Sequence, residues 1–146
     1  MSNSAAIGNS AVTPASGRGP TIPALAVTLR VARGQAAQQA ALDAWIDARR
    51  AAADGRALAV IAEGAFFELG CPAAVALARL APGCVCCVGE VPLRTTLTRI
   101  VRVHRPAELL LLIAADEHLE RVRRLLAEAR LGVPVSLLEN DETRPR

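Results

Sequence analysis

The sequence predicts a three-layer α/β domain with a mostly parallel sheet of four or five strands. Residues 57–62 (Ala-Leu-Ala-Val-Ile-Ala) and 108–114 (Glu-Leu-Leu-Leu-Leu-Ile-Ala) are short and almost wholly apolar. They lack the alternation of a half-exposed strand, as expected of strands covered on both faces in a parallel sheet. These runs alternate with segments of 10 to 19 residues that carry helical periodicity, the pattern of strand–helix–strand units. The chain has 146 residues, enough for one core that buries roughly two-thirds of the unfolded surface.

In chain order, residues 24–31 read as a first strand. Residues 35–53 read as a helix with Leu42, Trp45 and Ile46 on its apolar face, closed by Asp54-Gly55. The run 57–62 then reads as a central strand. Residues 63–70 read as a loop carrying Phe66 and Phe67, and 72–80 as a short helix beginning near Cys71. A helix over 92–104 follows, with Pro92 suited to its first turn and Leu93, Leu97, Ile100 and Val101 spaced to face a core. Beyond the strand 108–114, residues 117–130 give an amphipathic helix stopped near Gly132, and 133–138 a last strand. The organisation expected is a disordered tail over 1–21, one domain over 22–138 and a polar tail over 139–146.

Composition narrows the function. The 17 basic residues are all arginine, with no lysine, and the net charge is +3. The arginines alternate with acids along the expected helices, as Arg121, Arg123, Arg124 and Arg130 do with Glu117, Glu120 and Glu128, so they read as solvated faces with intrahelical pairs. Aromatic residues are confined to Trp45, Phe66 and Phe67, all read as core, and none is interleaved with the arginines to stack bases. Nucleic acid is not an expected partner. No apolar stretch reaches the length of a membrane helix, and the first twenty residues lack a basic start with an apolar run, so neither a membrane nor secretion is expected. The location expected is the cytoplasm, where four cysteines argue for metal or redox chemistry before disulfides.

Three of those cysteines stand within four residues, as Cys84-Val85-Cys86-Cys87 behind Leu80-Ala81-Pro82-Gly83. Thiolate is the metal-binding form, and the dipole of a helix that follows favours it. Zn(II) leads among the ions such sulfurs suit, with Cu(I) the other. A closed zinc site needs a fourth ligand, for which Cys71, Glu63, His104, His118, water and a partner protein's residue all stay open. The competing reading makes the cysteines small buried hydrophobes. A redox pair fits less well, because Cys-x-Cys-Cys is not the Cys-x-x-Cys arrangement.

The run Gly83-Cys84-Val85-Cys86-Cys87, with Pro92-Leu93-Arg94-Thr95-Thr96-Leu97 and Arg105-Pro106-Ala107-Glu108-Leu109-Leu110-Leu111-Leu112-Ile113 after it, resembles the CobW-like metallochaperone GTPases, whose hallmark is Gly-Cys-x-Cys-Cys. The resemblance spans roughly residues 22–115 and implies a P-loop-GTPase-like fold, with Cys84, Cys86 and Cys87 as metal ligands. It also implies a metal or magnesium contact for Glu63, since Val60-Ile61-Ala62-Glu63 stands where the family has an apolar strand ending in Asn-Glu. The bland role for that carboxylate is to cap a loop or helix.

The departures from the family decide the activity expected. Where the family has a glycine-rich loop ending in Gly-Lys-Thr-Thr, this chain has Ala32-Arg33-Gly34-Gln35-Ala36-Ala37-Gln38, without the lysine that reaches the phosphates or the hydroxyl that holds magnesium. Ile113-Ala114-Ala115-Asp116-Glu117 replaces the family's Glu-x-x-Gly. Expected, therefore, is a metal-binding protein that has shed GTP hydrolysis and binds no GTP. It would hand metal to a client metalloprotein, regulate a full-length relative or pair as a metal-bridged homodimer. The alternatives are a weakly active nucleotide-binding protein and an interaction domain without metal. His104 and His118 themselves read as exposed surface histidines, because neither belongs to a metal-ligand spacing.

Overall fold

The computed structural model describes residues 22–52, 55–64, 68–81 and 90–138. The chain forms β1 (Leu25–Val31), α1 (Gly34–Ala52), β2 (Leu58–Glu63), β3 (Ala76–Leu80), α2 (Val91–His104), β4 (Glu108–Ile113), a 3-10 turn (Asp116–His118), α3 (Leu119–Glu128) and β5 (Val135–Leu138). The Cys84, Cys86 and Cys87 run, Phe66 and Phe67, Asp54 and the two expected tails lie outside the described residues.

The five strands make one sheet in the order β3-β2-β4-β1-β5. Every pairing is parallel. The apolar β4 is the central strand, and Leu109 to Leu112 are fully buried. Its residues alternate between two cores, as side chains of a strand must. Leu109, Leu111 and Ile113 face α2 and α3, packing with Leu93, Leu97, Val122 and Leu125. Leu110 and Leu112 face α1, packing with Leu42, Trp45 and Ile46. The result is helix, sheet, helix: the three layers expected, with the predicted apolar faces of α1 and α2 turned inward. Trp45 satisfies its indole N–H against Thr28 Oγ1 at 3.3 Å, and the Arg49 guanidinium lies 4.5 Å from the centre of its ring.

One element differs. Residues 72–80 are not a helix: a turn closed by the Val75 amide on the Pro72 carbonyl at 2.9 Å leads into β3. Ala, Leu and Arg favour a helix by propensity, but propensity is a weak prior. The outer edge of β2 offers a ladder of backbone groups, and Ala76 to Leu80 takes it in register with Ala59 to Glu63. The connection that brings β3 beside β2 contains no helix among its described residues.

At the carboxyl edge, β1 and β4 are neighbours whose chains leave in opposite senses. The chain after β1 turns into α1 on one face and returns as β2. That after β4 passes through the 3-10 turn into α3 on the other face and returns as β5. In open α/β sheets such a divergence marks the strand ends beyond which ligands bind.

Candidate functional site

Glu63 is the last residue of β2 and stands at that carboxyl edge, as expected. It shares its side with Ala59 and Ile61, which pack toward α2 and α3. Its side chain is 1 % exposed. A buried carboxylate is tolerated only when its lone pairs are used. Oε2 accepts from the Ala114 amide, just past β4, at 2.8 Å. Nδ1 of His118 lies 3.3 Å from Oε2 and 3.2 Å from Oε1. Only the approach to Oε2 has hydrogen-bonding angles, and Oε1 stays buried without a hydrogen-bond donor among the described residues. Glu63 therefore acts as the loop-capping carboxylate, while keeping one acceptor in reserve.

His118 is not the exposed surface histidine its sequence context suggests. Its side chain is only 12 % exposed, drawn in against Glu63 by the 3-10 turn that begins α3. Three polar residues, Asp116-Glu117-His118, follow closely on a buried strand at the edge where ligands bind. That placement was the signal available. His104, at the last turn of α2, is exposed as read. It lines a separate recess of about 420 Å³ between β3 and α2, together with Arg79, Thr95, Thr96 and Arg99.

The region where a phosphate-binding loop would lie is built differently. Only Ala32 and Arg33 separate β1 from α1. The Ala32 amide donates to the Ile113 carbonyl at 2.8 Å, and Arg33 pairs at 3.7 Å with Asp116 on the surface. The glutamines that follow act as struts. Gln35 Nε2 donates to the Glu68 carbonyl at 3.0 Å. Gln38, wholly buried, donates to the carbonyls of Glu63 at 2.6 Å and Ala32 at 3.3 Å. Gln39 makes two bonds to the backbone of Gly70, at 2.7 and 2.9 Å. Its side chain also lies 3.6 Å from where a Cβ on Gly70 would sit. The first turns of α1 are thus committed to the 68–70 segment.

Cys71 packs half-buried against the α1-side core, with Sγ 3.9 Å from the Val75 carbonyl. Burial pushes its thiol above the usual range, so less thiolate is present at a given pH. With Cys84, Cys86 and Cys87 changed to serine, the remaining thiol is expected to alkylate more slowly at pH 8 than an unhindered cysteine in a short peptide. Equal rates would contradict its burial.

Cys71 and the Glu63–His118 pair stand on opposite faces of the sheet. The cysteine run is flanked by Leu80, buried in the α2/α3 core, and by α2 itself. Leu80 is the register partner of Glu63, and its carbonyl accepts from the Gly64 amide at 3.0 Å. Among the described residues no three His, Cys, Asp or Glu side chains form a metal-binding group, and no helix is long and apolar enough to cross a membrane. Comparison with protein-family models, curated proteins and solved structures found no match.

Proposed function

We propose that this chain is a non-catalytic, CobW-like metal-binding protein, with Cys84, Cys86 and Cys87 as thiolate ligands and Zn(II) as the leading ion. The observation that supports the reading most is the register of β2 with β3. It sets the strand end from which the cysteine run departs beside Glu63, a buried carboxylate with an unfilled acceptor. Thiolate sulfur with one oxygen or nitrogen donor suits zinc, and Cu(I) is the second candidate. A run of three cysteines suits a reducing cytoplasm, and the metal would pass to a client metalloprotein, a full-length relative or a second copy.

The test is a zinc titration of the reduced protein against a chromophoric chelator, beside the variant with the three cysteines changed to serine. Tight binding by the parent, lost in the variant, is the result expected. Equal, weak binding by both would end the metal reading.

The rival reading, a nucleotide hydrolase, predicts turnover. The two-residue β1–α1 connection leaves no loop whose amides could cradle phosphates, and the lysine is missing. GTP is expected to persist at the uncatalysed rate, even after Gln35→Lys with Ala36→Thr. Measurable hydrolysis by the pure protein, abolished by changing Gln35 or Arg33, would favour the rival.

A further inference from the structure

We infer that the outer edge of β3 is a docking site for an extended segment of a partner protein in which acidic and apolar residues alternate, added to the sheet as a further strand beneath α2. This surface is independent of the metal-binding reading and uses none of its residues.

β3 ends the sheet, and among the described residues it pairs with β2 alone. In a strand the N–H and C=O of one residue point to the same side, and that side alternates along the chain. The Leu80 carbonyl accepts from the Gly64 amide, just past β2. Leu80, Ala78 and Ala76 therefore bond toward β2, while Leu77 and Arg79 turn their amides and carbonyls outward. Such a row of strand groups is a template for one more strand, and main-chain hydrogen bonds then supply the affinity.

The room for that strand comes from small side chains. Ala76 and Ala78 are the residues that β3 sets toward α2 below Leu80, and their methyl groups leave space under the helix. Thr96, Ile100 and His104 recur every fourth residue along α2 and form the roof, with Thr95 and Arg99 beside them. The recess so formed holds about 420 Å³. Leu77 lines it too, although its side chain packs on the α1 side, as an outward-facing backbone requires.

Charge decides the occupant. Arg79, Arg99 and His104 line the recess, and among the described residues no Asp or Glu does. Neither guanidinium has a carboxylate partner among the described residues. A second copy pairing edge to edge would set these cations against their own counterparts. An acidic strand instead places one set of side chains under α2, against Arg99 and the threonine hydroxyls, and the alternate set beside half-buried Leu77. Arg79, a charge on the edge itself, repels a basic strand and attracts an acidic one.

The test adds synthetic peptides of about six residues to the ¹⁵N-labelled full chain. One alternates glutamate with valine, a second is the same peptide with alternate amides N-methylated, and a third alternates lysine with valine. The first is expected to shift the amides of residues 76–80 and 95–104 and to slow hydrogen exchange at Leu77 and Arg79; the lysine peptide should do neither. N-methylation is expected to weaken binding by at least about tenfold, because it removes the ladder and keeps the charge. Arg99→Glu should weaken it by about as much at an unchanged melting temperature, since that side chain is exposed. Equal binding of the N-methylated peptide would overturn strand addition, and no binding, or shifts only elsewhere, would overturn the site. A concentration-dependent dimer with slowed exchange at Leu77 and Arg79 in the absence of peptide would give the edge to a second copy and overturn the acidic partner.

Discussion

Replacing Leu111 with alanine is expected to destabilise the protein by about 2–5 kcal/mol, toward the upper end of that range. Leu111 is 0 % exposed at the middle of the central strand. Its register partners are Leu29 on β1 and Ile61 on β2, and its side chain packs in the core that α2 and α3 close. The cost of such a truncation depends on how far the surroundings can relax into the space left. Here two hydrogen-bonded neighbours fix the backbone on both sides, so little collapse is available. Against a total of about 5–15 kcal/mol for an ordinary domain, the loss removes a large share of the stability. Urea denaturation should show a lower midpoint with an unchanged slope. Val103→Ala, at a side chain 66 % exposed on α2, should change stability by less than about 0.5 kcal/mol. A Leu111 variant as stable as the Val103 variant would mean that β4 is not the central strand.

The legibility of this fold followed the strength of its apolar pattern. β2 and β4 could be read because strands covered on both faces have no polar positions to obscure them, and α1 and α2 because their buried residues recur at helical spacing. β3 could not. Ala76-Leu77-Ala78-Arg79-Leu80 is helical by local preference, and what makes it a strand is the open edge of β2, a feature of the assembled sheet. The candidate site divides the same way. Glu63 was legible from its place at the end of a buried strand. His118 was not, since its pairing with Glu63 joins residues 55 apart in sequence through the sheet order. The glutamines of α1 were equally hidden, because their partners at Glu63, Glu68 and Gly70 are backbone carbonyls and amides that carry no side-chain signature.

Changing Cys84, Cys86 and Cys87 together to serine is expected to weaken zinc binding by at least about a thousandfold, or roughly 4 kcal/mol. Apparent binding free energies of sulfur-rich structural zinc sites are about 10–16 kcal/mol, and a serine hydroxyl does not ionise near neutral pH to replace a thiolate. The same variant should fold normally without metal, because the described members of both cores already join all five strands to the three helices. The two effects can therefore be separated. Zinc-free parent and variant should melt at the same temperature. Added zinc should raise the parent alone, by about 2.7 kcal/mol at a hundred times its dissociation constant. A zinc-free variant that melts well below the parent would show instead that the cysteines pack as small hydrophobes, and a variant stabilised by zinc as strongly as the parent would remove them from the site. Either result would leave the Glu63–His118 pair as a structural clamp between the ends of β2 and β4, which is the role its hydrogen bonds already perform.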